Sequence, residues 1–410
     1  MSTHPAVSAL RVQAFRRYFL GQLPSVTCSW AQVVALAWVV VELDPRALGW
    51  VVALQFLPSV LFGPWFGAVA DRHDRRHLLI LAEAGLGLVA LCFAIAAATH
   101  TLTLPLIYVL ASVWGVVNAL DTPARRALVP QLLPPDLAAG ATALTSTGLL
   151  VGMTAGTALG AVMITAVGIT ATFAVNAVSF LLDILVLLTV RAAPSPRVDR
   201  APGQIREGLR YVWRTPPLRA VLLALGAVAT LAFTIQVSVP IFVSVTLTGG
   251  AGLVGSAFTA ATAGSLVGAL AAAVHGHPGP RTLVKATVVM AGASALTAAA
   301  PNTAVAFAGI AGIGLAWSLF VTSVIATLQA AAPSMTGRVM SLFAAVMLGG
   351  TAVGGPIAAT AADLFEPRAP FVVGAAACLI VLTRLNDLST DRTRRTRGRD
   401  KGHRTDLLHR

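Results

Sequence analysis

Charged residues are scarce in this sequence. Asp, Glu, Lys and Arg together make up 11% of its 410 residues, whereas a typical soluble protein has about 25%. Hydrophobic residues account for 56% of the chain, and they gather in runs long enough to cross a bilayer. This balance excludes an ordinary soluble domain and predicts an integral membrane protein.

Lysine is rarer still, since the chain contains only Lys285 and Lys401, and neither of them follows a glycine. A phosphate loop for ATP requires Gly-Lys-Ser/Thr, so pumping driven by such a loop is excluded. The motifs H-E-x-x-H and G-x-S-x-G are missing as well, which leaves an embedded hydrolase without support. None of the three cysteines has the spacing of metal ligands. We therefore expect no enzyme activity, no metal and no cofactor.

Twelve apolar segments approach the roughly 20 residues that a helix needs to cross a bilayer. They lack the alternating pattern of a membrane β-barrel, so they predict helices. No cleavage site follows the first segment, and we expect it to be retained. The predicted fold is an all-α membrane bundle with twelve transmembrane spans, at 15–42, 48–70, 77–98, 102–120, 138–166, 168–190, 220–247, 251–274, 282–300, 303–330, 337–362 and 369–386.

The basic residues predict the orientation of this bundle. With twelve crossings both termini lie on one side, and all basic residues except Arg46 and Arg368 fall on that side. The positive-inside rule then places both termini in the cytoplasm of a multi-pass cell-membrane protein. The same bias accounts for the formal net charge of +13, so we expect no nucleic-acid partner.

The longest loop between spans, residues 191–218, predicts a division into two halves. Residues 1–190 and 219–387 would each form a six-helix bundle, and residues 388–410 a basic tail without fixed structure. Within the linker, apolar residues recur on one face of a helical pattern, which predicts an amphipathic helix on the cytoplasmic membrane surface. These residues are Ile205, Leu209, Val212 and Trp213.

Similar short motifs recur in the two halves at an offset near 199 residues. This repetition favours duplication of a six-span unit. Small residues in the fifth and eleventh spans would allow close helix packing. The predicted packing residues are Gly152, Gly156, Gly160, Gly355 and Pro356.

Residues 67–79, GAVADRHDRRHLL, place a charged cluster between the second and third spans. Asp71 would end the second helix, where the helix dipole disfavours a carboxylate by about 0.3–1 kcal/mol. The positive N-terminus of span eleven, near Gly337, faces the same side, so we predict that Asp71 caps it. Arg75 would hold Asp71 and reach Asp121, and Gly67 would permit close approach. Such a latch would close the cytoplasmic face. The alternative is a solvated loop that only sets topology.

This loop resembles the G-x-x-x-D-R-x-G-R-R signature of the major facilitator superfamily, with Gly67, Asp71, Arg72, Arg75 and Arg76 in register. The stretches DTPARRALVPQLLPPDLAAGATAL, EGLRYVWRTPPLRA and GRVMSLF resemble its siderophore and drug exporter branch. The resemblance implies two pseudo-symmetric six-helix bundles, transport by alternating access, and a loop aspartate and arginine that stabilise the outward-facing state.

The sequence departs from the superfamily pattern at several positions. Asp74 replaces the glycine of the loop signature, and Thr157 and Ala161 replace a proline and a glycine of the antiporter signature G-x-x-x-G-P-x-x-G-G. In the second half Ala272 occupies the place of the loop aspartate. We therefore predict one latch rather than two.

Coupling to an ion gradient would need an ionisable group within the membrane. Glu83 in span three and Asp183 in span six are the two acids inside spans, and both are candidates for proton coupling. The alternative is ion pairing near the interface, since Arg76 and Arg191 lie on matching helical faces. The sequence leaves both alternatives open.

The resemblance places spans one, four, seven and ten around a central cavity. None of these spans has an Arg or Lys in its middle, so a neutral or cationic, apolar or amphipathic substrate fits better than a phosphate. Hydroxyl groups that bond to their own helix are the alternative reading. The candidate cavity residues are Gln22, Ser25, Ser29, Gln32, Tyr108, Ser112, Thr230, Thr234, Ser238, Ser318, Thr322 and Gln329.

The favoured function is a secondary transporter that exports hydrophobic or amphipathic small molecules, such as drugs or siderophores, in exchange for protons. The alternatives are a lysophospholipid translocase without proton coupling, and a receptor or scaffold that does not transport. The expected partners are the small-molecule substrate, protons and membrane lipids, and we expect a monomer.

Overall fold

The structure of the chain is a computed structural model. It describes residues 8–190, 204–274 and 279–385. Seven side chains within these ranges are not described, namely those of Pro64, Asp71, Gln204, Ile205, Arg206, Gly208 and Ser334. The predicted basic tail and the first part of the linker lie outside the described residues.

The first half consists of six long helices. They are α1 (Gln13–Leu43), α2 (Ala47–Arg72), α3 (Arg75–Ala98), α4 (Leu104–Leu128), α5 (Ala138–Ala166) and α6 (Gly168–Thr189). Two short 3₁₀ turns, Val129–Leu132 and Pro135–Leu137, connect α4 to α5. Prolines begin or interrupt these turns, which is why the α-helical pattern does not continue through them.

A linker helix and a second set of helices follow. The linker helix is α7 (Gln204–Arg214), and it is followed by α8 (Pro216–Leu231), α9 (Ile235–Ile241), α10 (Ala251–Val274), α11 (Pro280–Ala298), α12 (Thr303–Ala331), α13 (Thr336–Leu364) and α14 (Ala369–Leu385).

Helix α3 shows why these helices belong in a membrane. Leu79, Leu86 and Phe93 form its buried face, whereas Leu81, Leu88 and Ile95 are 64%, 61% and 55% exposed. A continuous exposed apolar stripe of this kind is rare on a soluble protein, but it is the expected surface toward lipid. Among the described residues, nine helices are long and apolar enough to cross a membrane, and α2, α11 and α14 complete the predicted twelve spans.

The seventh predicted span, 220–247, differs from the continuous helix that its composition suggests. It is divided into α8 and α9, and a five-residue π-helical turn, Phe242–Thr246, extends α9. The N–H groups of Ala232 and Phe233 both donate to the carbonyl oxygen of Val228, at 2.9 Å each, so the helix widens and ends there. Broken membrane helices are found where they border a cavity or a binding site.

The loops at one end of the molecule carry most of the arginines, and we call this end the basic face. The other end, which carries Arg46 and Arg368, is the opposite face. The two halves meet on the side of the opposite face. Arg46 Nε lies 2.6 Å from Asp363 Oδ1, and Gly49 in α2 lies against the backbone of Gly355 in α13.

Helices α5 and α10 also join the two halves in the same region. Gly255 of α10 packs against Ala161 of α5. Thr157, the residue at the place of the superfamily proline, is fully buried. Its Oγ1 lies 3.2 Å from the hydroxyl oxygens of both Thr259 and Thr262 in α10. The hydroxyl that replaces the proline therefore contributes hydrogen bonds between the halves.

The predicted packing glycines serve two different contacts. Gly152, Gly156 and Gly160 in α5 face α1, where a methyl group at Gly156 would overlap the carbonyl oxygen of Thr27. In the second half Gly354, not Gly355, makes the matching contact, since a methyl group there would overlap the carbonyl oxygen of Thr230 in α8. Gly355 faces α2 of the other half, and the half-buried Pro356 follows it. The duplication is therefore visible in the packing, shifted by one residue.

Candidate functional site

A cluster of buried ionisable side chains lies inside the first half, near the basic face. Glu83 of α3 and Asp183 of α6 are both 0% exposed, and Asp121 of α4 is 8% exposed. All three carboxyl groups surround the guanidinium group of Arg125, whose side chain is 16% exposed. We call these four residues the Arg125 cluster.

The geometry of the cluster follows from helical spacing on α4. Asp121 and Arg125 are one turn apart and face the same way. Arg125 Nε lies 3.2 Å from Asp121 Oδ2, and Nη2 lies 3.0 Å from Asp121 Oδ1, so the two side chains form a bidentate ion pair. Nη2 also contacts Glu83 Oε1, and Nη1 lies 3.6 Å from Asp183 Oδ2. One guanidinium group thus holds three helices together.

The cluster contains more acid than base. Among the described residues, Glu83 Oε2, both Asp183 carboxyl oxygens and Arg125 Nη1 are buried without a hydrogen-bond partner. Tyr18 of α1 lies fully buried beside Arg125, and its hydroxyl group is unpartnered too. Native proteins pair the great majority of their buried polar groups. This concentration of buried polar atoms without hydrogen bonds marks the cluster as a functional-site candidate.

The ion pairs that the sequence suggested for these acids form differently. Arg76 Nε and Nη2 donate to the carbonyl oxygens of Leu187 and Leu188 at 2.7 and 2.6 Å, at the end of α6. Glu83 is paired with Arg125 instead, and Arg191 lies outside the described residues. From the sequence, Arg125 was predicted only to contribute to the topology, as one of the basic residues on the cytoplasmic side. The Asp121-x-x-x-Arg125 spacing, which favours an ion pair within one helix, was the signal that could have identified it.

Asp74 explains one departure from the superfamily loop. Its Oδ1 accepts hydrogen bonds from the N–H groups of Arg76 at 2.9 Å and His77 at 3.1 Å, so it caps the N-terminus of α3. Burial acts to raise the pKa of Asp74. The hydrogen bonds from these N–H groups and the charge of His77, whose Nδ1 lies 3.3 Å from Oδ2, outweigh burial and lower this pKa.

The other residues of the predicted latch have the following positions. Arg75 Nη1 lies 3.5 Å from the carbonyl oxygen of Ala127 and contacts the side-chain amide group of Gln131, while Asp121 is held by Arg125. Gly67 is half-buried, and Arg72 and Gly337 are exposed. No described atom lies within 4 Å of the side-chain position at Gly337. The Asp71 side chain is outside the described residues, so its contact with span eleven stays a prediction.

Some of the candidate cavity residues on α1 face α6. Gln32 Oε1 accepts a hydrogen bond from Asn176 Nδ2 at 2.8 Å, and Ser29 Oγ donates to Asn176 Oδ1 at 3.3 Å. Gln22 and Ser25 are buried as well. Asn176 was not predictable from the sequence, because a single asparagine in a peripheral span carries no positional signal of its own.

The hydroxyl groups of the other cavity candidates bond mostly within their own helices. Ser112 donates to the carbonyl oxygen of Tyr108 at 2.8 Å, Thr322 to that of Ser318 at 2.7 Å, and Ser238 to that of Thr234 at 3.0 Å. This agrees with the alternative reading of these residues. Of the side chains without such a bond, those of Tyr108, Thr230 and Ser318 are half-buried, and that of Gln329 is exposed near the basic face.

An aromatic pair lies where α8 gives way to α9. The rings of Phe233 and Trp317 are stacked, with centroids 3.9 Å apart and planes 5° apart, and Phe320 lies 6.2 Å from Trp317. The hydroxyl oxygens of Thr234 and Ser238 are 2.6 Å apart beside it. A flat apolar surface next to a few hydroxyl groups is suited to an apolar or amphipathic compound. Sequence reasoning missed this pair, since aromatic residues in a span usually only pack.

The fold and the broken seventh span define a transporter of the major facilitator type. Residues 4–395 match the family model described as "Transmembrane secretion effector". The chain therefore belongs to this family of the major facilitator superfamily, which confirms the resemblance found in the sequence.

Several known proteins are similar to parts of the chain. The uncharacterized MFS-type transporter YfiS of Bacillus subtilis is 30% identical over 174 residues, 41% of this chain and 40% of YfiS. Macrolide efflux protein A of Enterococcus faecalis is 36% identical over 92 residues, 20% of this chain and 26% of that protein. The enterobactin exporter EntS of Salmonella typhimurium is 26% identical over 326 residues, 77% of each chain. The match thus spans less than half of YfiS and of the macrolide efflux protein.

Solved structures agree on the fold. The nucleoside transporter NupG superposes with a TM-score of 0.71 at 11% identity, covering 92% of this chain and 98% of NupG. A bacterial homologue of the human lysosomal transporter Spinster gives a TM-score of 0.67 at 14% identity, covering 91% and 95%. At these identities the likeness shows the fold alone, and it confirms the predicted twelve-helix bundle of two similar halves.

Proposed function

We propose that this chain is a proton-coupled exporter of hydrophobic or amphipathic small molecules that works by alternating access. The observation that carries the proposal is the excess of buried acid in the Arg125 cluster. Two relatives, a macrolide efflux protein and an enterobactin exporter, support export rather than uptake. Each chain would act as a monomer, because one pair of bundles encloses one pathway.

Burial of three carboxylates around one guanidinium would leave net negative charge in a medium of low dielectric constant. An uncompensated buried charge costs several kcal/mol, and protonation of one carboxyl group lowers that cost by reducing the net negative charge. Glu83 and Asp183 have unpartnered oxygens, whereas Asp121 is paired by both of its oxygens. The exchangeable proton is therefore assigned to Glu83 and Asp183 jointly.

The proton would leave the cluster through the basic face, which we assign to the cytoplasm. Glu83 lies about two turns from the start of α3, and Asp183 about two turns from the end of α6. The contacts described between the halves lie in the middle and at the opposite face. We therefore assign this structure to the state that is open toward the cytoplasm, ready to release a proton and accept substrate.

Substrate binding would occur between α1, α4, the α8–α9 break and α12. The Phe233–Trp317 pair would receive an aromatic or aliphatic part of the substrate, and Thr234 and Ser238 its polar groups. Tyr18 connects this cavity to the proton site, because it belongs to α1 and lies beside Arg125. A change of protonation would thus be transmitted to a helix that lines the cavity.

The proposal is tested in vesicles that contain the purified chain and an imposed pH gradient. A macrolide, enterobactin and a lysophospholipid would be added separately, while a pH-sensitive dye reports proton movement. We expect substrate-dependent proton flux in the wild type, and its loss in Asp183→Asn and Glu83→Gln. Glu42→Gln, which changes an exposed acid at the opposite face, is the matched control and should leave the flux unchanged.

The outcomes separate the competing functions. Substrate movement that persists after the gradient has been collapsed would contradict proton coupling. If only lysophospholipid moved, and did so without a gradient, the lipid translocase would replace the proposed exporter.

A further inference from the structure

We propose that the linker helix α7 binds anionic phospholipid head groups of the surrounding membrane. The binding edge consists of exposed side chains near the end of the helix and the start of α8. We call it the α7 edge, and its members are Leu209, Arg210, Trp213, Arg214 and Arg219.

The apolar residues of α7 are divided between two directions. Val212 is 5% exposed and packs into the main hydrophobic core of the protein. Leu209 and Trp213, one helical turn apart, remain 45% and 55% exposed. The sequence had placed all of them on one membrane-facing side. In the structure Val212 anchors the helix to the protein, and the Leu209–Trp213 pair is left to contact something else.

Three arginines surround this exposed apolar pair. Arg210, Arg214 and Arg219 are all exposed, and the Arg219 guanidinium carbon lies 6.0 Å from the centre of a Trp213 ring. The nearby acid, Glu207, is already paired, since its Oε2 lies 2.7 Å from Arg338 Nη1. Among the described residues, no acid forms an ion pair with these three arginines. The described part of the α7 edge therefore presents positive charge next to apolar surface, which suits an anionic amphiphile.

The position of the helix decides between a lipid and a soluble acidic partner. Only Thr215 separates the end of α7 from the start of α8, and α8 is the beginning of a membrane span. The α7 edge thus lies at the level where the span enters the bilayer. Tryptophan and arginine are enriched at this level, where one part of the side chain is apolar and the other is wet. Membrane phospholipid is the ligand already present there.

The Glu207–Arg338 ion pair gives lipid binding a consequence for transport. Arg338 lies in the first turn of α13, and the far end of α13 contacts α2 of the other half. A lipid that holds α7 at the membrane surface would hold the basic-face end of α13 with it. Anionic lipid would therefore favour one position of α13 during the transport cycle.

The test compares the full chain in vesicles of phosphatidylcholine alone with vesicles that also contain phosphatidylglycerol. Hydrogen exchange of residues 204–214 reports on α7 without requiring transport. We expect phosphatidylglycerol to slow this exchange in the wild type. The Arg210→Gln/Arg214→Gln variant should lose most of that protection, at about fivefold per arginine.

Two controls make the result decisive. Arg16→Gln/Arg126→Gln removes two exposed arginines from the same face, and it should keep the wild-type response. Inorganic phosphate added to phosphatidylcholine vesicles should have no effect. Equal protection in the Arg210/Arg214 variant and the wild type, or full protection by inorganic phosphate, would overturn the proposal. Because exchange is the readout, the proposal stands or falls separately from proton-coupled export.

Discussion

Arg46 Nε lies 2.6 Å from Asp363 Oδ1, and this ion pair joins the two halves of the transporter at the opposite face. The N–H group of Arg46 also donates to Asp44 Oδ1 at 2.9 Å, which orders the turn between α1 and α2. Arg368, the other basic residue of that face, donates to the carbonyl oxygens of Ala298 and Ala300 at 3.0 Å each. Both arginines that the topology rule leaves on this side therefore have structural partners.

The first prediction concerns this ion pair. The side chains of Arg46 and Asp363 are 72% and 32% exposed. Exposed ion pairs contribute about 0.2–1 kcal/mol. Loss of this pair should therefore shift the equilibrium between the open and closed states by at most about fivefold. In a background without native cysteines, Val52→Cys places a thiol deeper along α2 than the Arg46–Asp363 pair, at a position that is buried in this structure. We expect Arg46→Asp to increase its labelling by an impermeant maleimide added outside.

The charge swap Arg46→Asp/Asp363→Arg is the control for that experiment. It restores an attractive pair, so labelling should return toward the rate of the parent. Equal labelling of all these variants would show that the ion pair has no part in closing the opposite face.

The second prediction concerns Arg125. Arg125→Gln would leave three buried carboxyl groups without their shared cation, and breaking a buried ion pair in this way costs about 3–5 kcal/mol. We expect a large fall in the thermal unfolding temperature of the detergent-purified protein. Arg126→Gln changes the exposed neighbour and should cost less than about 0.5 kcal/mol. Equal effects of the two substitutions would contradict the proposed role of the Arg125 cluster in stability.

The third prediction concerns the cap at Asp74. Asp74→Ala should lower the free energy of unfolding by about 1 kcal/mol, whereas Asp74→Asn keeps a capping oxygen and should cost much less. The pKa of Asp74 is lowered from its ordinary value of 3.8. The electrostatic contribution of ionised Asp74 to the free energy of unfolding is therefore present above the ordinary carboxyl value. It is lost as the pH falls through the lowered pKa of the folded state.

Unfolding of both Asp74 variants, followed at several pH values, checks this prediction. The difference in the free energy of unfolding between wild type and Asp74→Asn should shrink as the pH falls below the ordinary carboxyl value. A difference that grew as the pH fell below the ordinary carboxyl value would have the wrong sign.

The fourth prediction concerns the aromatic pair. Stacking contributes about 0.5–1.5 kcal/mol beyond burial, so Trp317→Leu should weaken binding of a transported compound by up to about tenfold. Trp317→Phe preserves a ring and should retain most of the affinity. Trp50→Leu removes a tryptophan that is 59% exposed, and it serves as the control in a radioligand binding assay. Unchanged affinity in Trp317→Leu would place the substrate elsewhere.

Much of the fold was predictable because long apolar runs leave a membrane chain few alternatives. Unsatisfied backbone groups are too costly in lipid, so each run must form a helix. The break at Phe233 was not predictable, since residues 220–247 have no glycine or proline at the point where the helix ends. That break depends on contacts from other helices, including the stacked ring of Trp317 and the close approach of Gly374 to Ala232.

The candidate site was predictable only in part. Glu83 and Asp183 stand out in the sequence because acids are rare in membrane spans. Their shared partner did not stand out, since Arg125 is one of many arginines on the basic face. The sequence favoured Arg76 by its helical phase, but Arg76 reaches the end of α6 instead. The spacing of residues along one helix predicts which side chains share a face of that helix. The distances between α3, α4 and α6 depend on how the three helices pack.

By itself, the sequence determined the membrane environment, the number of spans, the duplicated halves and the family, because hydropathy and short motifs are local properties of the chain. The tertiary structure decided that Arg125 gathers three acids from three helices, and that Arg46 meets Asp363 across the molecule. It also decided that Gly354 rather than Gly355 repeats the packing of Gly156. These relationships join residues far apart in sequence, and only helix packing brings them within bonding distance.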